Sequence, residues 1–185
     1  MKQNNCNKLS IRFFLIIFIS ILFICTIDLG NASYISVVEK AREVFEIKIS
    51  AIAGQFIGTK YEFGGNFEIS GAVDNSHLFC LIYARAAEQS GLVFTGYMPM
   101  DMLLKNTVEV ERKDLKIGDL MVLINGLAAM IYKFENRDKF HLIYASGKRR
   151  EVISFHSQNV VFEAYWLKNL KGYYRLSKSM FWPQN

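Results

Sequence analysis

The sequence predicts an α+β fold in which helices come first and a meander of short strands follows. Two segments in the first half carry apolar residues at the 3.6-residue period of a helix, and after about residue 113 short β-prone runs alternate with turn residues. Helices followed by strands are typical of α+β proteins. The chain of 185 residues is 51% hydrophobic and 21% charged, which suits one globular domain and excludes a disordered or fibrous chain.

The N-terminal segment has the composition of an export signal. Basic residues precede an uncharged apolar run over 13–27, which is shorter than the roughly 20 residues that span a membrane. Gly30 and Ala32 are small residues at the positions that precede a cut after Ala32. We therefore predict that 1–32 is a signal peptide and that 33–185 is a single exported domain of the periplasm or cell envelope. An uncleaved N-terminal membrane anchor is the alternative.

The cysteines and charges narrow the range of partners. Cleavage would leave Cys80 as the only thiol, so no internal disulfide could form. The same cut removes three basic residues and one acidic residue, which lowers the net charge from +5 to +3. The one dense basic run, Lys148-Arg149-Arg150, is interpreted as a solvated turn, and the basic pI alone does not support nucleic-acid binding.

We expect neither a metal site nor a cofactor, because the three histidines have no paired acidic cluster.

Two helices are predicted in the first half of the mature chain. The first covers 33–57, and the short segment 59–65 that follows is closed by two glycines that permit positive φ and close backbone approach. The second helix runs from Asp74, a good N-cap residue, to Ser90, and Gly91 stops it. Its interior is apolar nearly all round, so we expect it to be buried.

The second half is predicted to be rich in β-structure. A loop from Gly96 to about Lys113 is expected before the first strand. The predicted strands are 120–124, 128–134, 140–145, 151–155 and 173–176.

Several short strings occur in the order in which a known family has them. They are GTKYEFGG at 58–65, DNSHL at 74–78, LKIGDL at 115–120, AAMIY at 128–132, IYASG at 143–147 and YYRL at 173–176. This ordered set resembles the NlpC/p60 family of bacterial cell-wall cysteine peptidases. The resemblance extends over about 47–176. It implies a papain-like α+β fold with N-terminal helices packed on a mostly antiparallel sheet.

The resemblance also indicates where a catalytic triad would lie, and all three positions are changed. The cysteine that should open the second helix is replaced by Asn75, an amide without nucleophilicity. The histidine position holds Ala128, and the orienting position holds Tyr144, which has no imidazole to orient. Nucleophile and base act as a unit, so the sequence predicts that little or no activity remains.

Nearby residues are poor substitutes for the missing nucleophile and base. Cys80 lies five positions after Asn75, about 140° round the helix, and burial is expected to raise its pKa. Ser76 is interpreted as a residue that helps to cap the helix or lines the pocket. His77 is expected in the exposed first turn as a surface contact rather than a catalyst.

The other two histidines are expected to be peripheral. His141 is on the same predicted strand as Tyr144, three positions away, so it should be exposed on the opposite face. His156 follows no ligand spacing.

The resemblance implies that part of a substrate-binding site survives. In the family, the positions occupied here by Tyr61, Asp74 and Ser76 grip the free amine of a peptide. The sequence is therefore best explained as a catalytically inactive domain that binds peptidoglycan stem peptides or an envelope protein.

Two alternatives remain open. One is an active hydrolase or acyltransferase in which Cys80 or Ser76 works with His77 or His141. The other is a structural envelope protein whose cleft is filled by the side chains of Phe79, Met130 and Tyr144.

Overall fold

The structure, a computed structural model, describes residues 40, 41 and 43–184. Apart from Lys40 these belong to one compact unit, Ala41–Asn185. The predicted signal segment 1–32 and the boundary after it lie outside the described residues. Of the helices in the described part, none has the length and apolar character needed to cross a membrane.

Four α-helices are described, and the two long ones follow the predicted pattern. Helix α1 is described at residues 40, 41 and 43–55, and its buried side chains include Ile49 and Ile52. The remaining helices are α2 (Phe67–Ser70), α3 (Asn75–Glu88) and α4 (Met100–Lys105), with 3₁₀ turns at Arg112–Asp114 and Lys178–Met180 and a π-helical segment at Phe162–Leu167. As predicted, α3 begins after the N-cap Asp74 and is mostly buried.

In the described part of the chain, ten strands form a large sheet and a small one. The strands are β1 (Lys60–Tyr61), β2 (Ala72–Val73), β3 (Leu92–Phe94), β4 (Thr107–Val110), β5 (Leu120–Leu123), β6 (Ala128–Phe134), β7 (Phe140–Ser146), β8 (Glu151–His156), β9 (Leu170–Leu176) and β10 (Phe181–Pro183). The eight-stranded sheet has the order β2-β1-β8-β7-β6-β5-β9-β4, and β3 pairs with β10. Only the short β1–β2 pair is parallel among the described pairings, so the predicted α+β class with a mostly antiparallel sheet is confirmed.

The central strands are buried on both faces. Along β6, Ala128 and Met130 belong to a core cluster that also contains side chains of α1 and α3. The alternate residues Ala129 and Ile131 belong to a second cluster with Trp166 of the π-helical segment. Because successive side chains of a strand point to opposite faces, a strand covered on both sides reads as a continuous apolar run, as AAMIY does.

The predicted loop from Gly96 to Lys113 is correct for 96–99, which are neither helix nor strand, and wrong for most of the rest. That stretch contains α4, whose Leu103 is fully buried, and β4, which pairs with β9 from Thr107↔Leu176 onward. The pairing partner lies about 70 residues further along the chain, so the order of β4 depends on a distant segment. Local sequence carries no signal for such a contact.

Candidate functional site

The N-terminus of α3 is fixed by a dense set of hydrogen bonds to Asp74. The Oδ1 atom of Asp74 accepts a hydrogen bond from the backbone N–H of His77 at 2.8 Å and another from the Ser76 hydroxyl at 2.7 Å. The Oδ2 atom of Asp74 accepts a hydrogen bond from the Gly64 N–H at 3.1 Å. The Nδ1 of His77 lies 3.3 Å from the same Oδ1. One carboxylate thus caps the helix and ties it to the glycine pair after β1.

These contacts keep Asp74 ionised. Partial burial alone would raise the pKa of its carboxyl, but the hydrogen bonds from His77, Ser76 and Gly64 outweigh burial and lower the pKa below its ordinary value of 3.8. The helix N-terminus acts in the same direction. At neutral pH, Asp74 is therefore a fixed negative charge.

Asn75 joins the helix to the sheet. Its side-chain Oδ1 accepts a hydrogen bond from the backbone N–H of Ala145 in β7 at 2.7 Å. The amide that stands at the expected nucleophile position is therefore engaged with the main chain of the strand. This contact gives Asn75 a structural role that its sequence position did not indicate.

The three predicted binding residues come together at one cleft. Tyr61, Asp74 and Ser76 line a concavity of about 640 Å³ beside Asn75. The remaining lining residues are Phe63, Gly64, Tyr97, Pro99, Met100, Asn125, Gly126, Leu127, Ala145 and Gly147. The lining contains neither a cysteine nor a histidine.

The other two positions of the expected triad do not line this cleft. Ala128 is fully buried in the core cluster below it. Tyr144 packs on the other face of the sheet, with its ring centroid 5.3 Å from that of Trp166 and 5.9 Å from that of Phe155. The residue of β7 that lines the cleft is Ala145, because the strand alternates one residue away from Tyr144.

Cys80 is buried and unactivated. Among the described residues, Cys80 is the cysteine with a free thiol, and only 3% of the residue is exposed. Its sulfur lies 3.6 Å from the Met98 carbonyl oxygen. Burial raises the pKa of this thiol to about 11. Cys80 and His77 both line a separate cavity of about 190 Å³. The His77 ring nitrogen Nδ1, however, is paired with the Asp74 carboxylate and not with the thiol.

Ser76 is not activated either. Its hydroxyl donates to the Asp74 carboxylate at 2.7 Å and it is a buried residue. A carboxylate with a lowered pKa is a weak base, so this pair is not a nucleophile with its general base.

The histidines are less exposed than the sequence suggested. The side chain of His77 is only 16% exposed and stacks on Tyr97 with ring centroids 3.9 Å apart, which corrects the expectation of an exposed surface contact. His141 is opposite His156 in the β7–β8 register, and its Nε2 lies 2.6 Å from Glu135 Oε1. None of the three histidine rings lines the cleft. The described residues contain no group of three or more His, Cys, Asp or Glu that could hold a metal ion.

Sequence reasoning missed several cleft residues. Tyr97 belongs to the segment expected to be a loop, and Asn125 and Gly126 lie between the end of the predicted strand 120–124 and the predicted strand 128–134. The turn was a usable signal, because loops at the end of a sheet often carry binding residues. Nothing local indicated that Tyr97 would stack on His77.

The described residues form an α+β domain with a cleft at the N-terminus of α3. Among solved structures, the chain is similar to an NlpC/p60 family protein from Bacillus cereus, with a TM-score of 0.53 and 18% sequence identity. The likeness covers 71% of this chain and 40% of that one, so the chain spans less than half of that protein's length. At this identity the likeness shows the fold alone. No family model and no curated protein matches the sequence.

Proposed function

We propose that the protein is an exported, catalytically inactive NlpC/p60-like domain, with its N-terminal helices against the sheet, that binds the free amine of a cell-wall stem peptide. The observation that carries this proposal is the ionised carboxylate of Asp74 in an open cleft beside Tyr61 and Ser76. A fixed negative charge next to hydroxyl groups is suited to an ammonium ion.

Asp74 retains acceptor capacity for a ligand. An ionised carboxylate offers about four lone-pair sites. Oδ1 accepts two hydrogen bonds besides its contact with the His77 ring, whereas Oδ2 accepts only the one from Gly64. A ligand ammonium can therefore bind at Oδ2 without displacing the helix cap.

The residues that line the cleft support the proposal of inactivity. Hydrolysis by this fold would need a thiolate and an imidazole in contact. The cleft offers the Asn75 amide, which is already bonded to the Ala145 N–H, and no ring nitrogen. The relocated-nucleophile alternative is weakened by the buried, hydrogen-bonded thiol of Cys80 and by the carboxylate-bound hydroxyl of Ser76.

The filled-cleft alternative has less support than ligand binding. Phe79 and Met130 are fully buried in the core, and Tyr144 packs on Trp166. A volume of about 640 Å³ remains open next to Asp74, which is within the usual range for ligand pockets.

The test is calorimetric titration with a stem peptide that has a free N-terminus and with its N-acetylated form. The free-amine peptide should bind and the acetylated one should bind at least about tenfold more weakly, because acetylation removes the charge. Asp74→Asn should abolish this preference while keeping the helix cap, since asparagine is an equally good N-cap residue.

The matched control is Asp138→Asn, because Asp138 is exposed and does not line the cleft. Equal affinity for both peptides in the wild-type protein would refute amine recognition. Unchanged binding in Asp74→Asn would show that the peptide binds elsewhere.

A further inference from the structure

The hairpin between β7 and β8 carries three cations in a row. Lys148, Arg149 and Arg150 are all exposed. None of these three side chains takes part in an ion pair within the described part of the chain. The turn is therefore a concentrated positive charge, and the acidic residue next to it along the chain, Glu151 at the start of β8, is not ion-paired with it.

This turn is attached to the wall of the cleft. Gly147 lines the cleft, and a side chain built on it would meet Tyr61 Cε1 at 3.4 Å. The backbone N–H of Tyr61 donates to the Arg150 carbonyl at 2.9 Å. The flexible stems of the three cations thus begin at the edge of the site that holds Asp74.

Arg150 adopts a backbone conformation that favours glycine. Its φ of +63° is the one positive value among the described non-glycine residues. Glycine would adopt this conformation without strain, whereas an arginine is disfavoured there. A strained position that nevertheless carries a cation suggests that the charge has a use.

We propose that Lys148, Arg149 and Arg150 bind a carboxylate group of the same peptide whose amine lies at Asp74. This inference rests on the proposed function and deepens it. The ligand class is a peptide with a free amine and at least one free carboxylate. Opposite charges at the two sides of the cleft set the direction in which such a peptide lies.

The experiment compares two free-amine stem peptides, one with its carboxylates free and one with them amidated. The wild-type protein should bind the acidic peptide about tenfold more tightly, which corresponds to a few solvent-exposed charge contacts. A triple variant, Lys148→Gln, Arg149→Gln and Arg150→Gln, should bind both peptides equally and match the wild-type affinity for the amidated one.

Two further variants separate recognition from general charge and from folding. Lys133→Gln, Arg137→Gln and Lys178→Gln together remove the same charge from exposed positions outside the cleft and should keep the preference. Arg150→Gly removes one cation and relieves the strained φ, so it should raise the melting temperature while reducing the preference for the acidic peptide.

The outcomes distinguish this inference from the proposed function. One outcome is that the wild-type protein binds the acidic and the amidated peptide equally well and that Asp74→Asn abolishes the binding of both. In that case amine recognition stands and the carboxylate site is refuted. Persistence of the preference in the basic-turn triple variant also refutes it. If neither peptide binds, both proposals fail.

Discussion

Asn75 makes a structural contact between helix α3 and strand β7. In the first turn of α3, a thiolate would be stabilised by the helix N-terminus, but the carboxamide there accepts a hydrogen bond from the Ala145 N–H instead. The cap at Asp74 was predictable from sequence, because aspartate before an apolar helix is a local signal. The Asn75 contact was not, because its partner lies 70 residues away.

Thiol labelling tests the assignment of Cys80 and of the position next to Asp74. In the folded wild-type chain, Cys80 should react with iodoacetamide at pH 8 far more slowly than a free cysteine, because burial raises its pKa to about 11. Asn75→Cys should introduce a rapidly labelled thiol at the cleft without hydrolytic activity, since no imidazole lines the cleft. Peptide mapping by mass spectrometry distinguishes the sites, and rapid labelling of Cys80 would revive the enzyme alternative.

The pH dependence of stability tests the charge of Asp74. Because its pKa is lowered in the folded protein, its ionisation stabilises the fold above the ordinary pKa of 3.8, and this contribution is lost as the pH falls through the lowered value. Between pH 6 and pH 3 the free energy of unfolding should therefore fall more for the wild-type protein than for Asp74→Asn. Denaturant titration at each pH measures this difference. Parallel losses would contradict the assignment.

At the scale of elements, the sequence predicted what local pattern controls. The ends of α3, the glycine pair after β1 and the limits of β6 agree with the structure because capping, glycine and turn signals are local. The strands β3, β4 and β10 were missed because their order comes from pairing with distant segments. The cleft contains residues of both kinds. Asp74 could be predicted because helix capping is a local signal, whereas no local pattern indicated that Tyr97 would line the cleft.

Two glycine substitutions test whether the segment after β1 is closely packed. A Cβ at Gly65 would lie 2.9 Å from the Glu62 carbonyl oxygen and 3.1 Å from the Ala72 backbone, so Gly65→Ala should lower the free energy of unfolding by about 1–3 kcal/mol. Gly54, in α1, has no atom within 4 Å of such a Cβ. Gly54→Ala should be neutral or stabilise the protein by up to about 1 kcal/mol. Equal effects in thermal denaturation would contradict this packing.

At the scale of the whole molecule, two core clusters cover opposite faces of the sheet, and the cleft is lined by residues other than Ala128 and Tyr144. Ala128 is buried in the first cluster, and Tyr144 packs against both clusters and on Trp166, so both positions contribute to the core. The residues around Asp74 are held by α3, β1 and the glycine pair. The proposed binding site therefore does not depend on the positions of Ala128 and Tyr144.

The most direct test of this account is one NMR titration of the isotope-labelled protein with a free-amine stem peptide, followed for several days. The account predicts that the backbone amides of Gly64, Ser76 and His77 shift on titration while the peptide resonances stay those of the intact molecule. Accumulation of cleaved peptide would contradict inactivity, and unshifted amides at these three residues would contradict binding at the cleft.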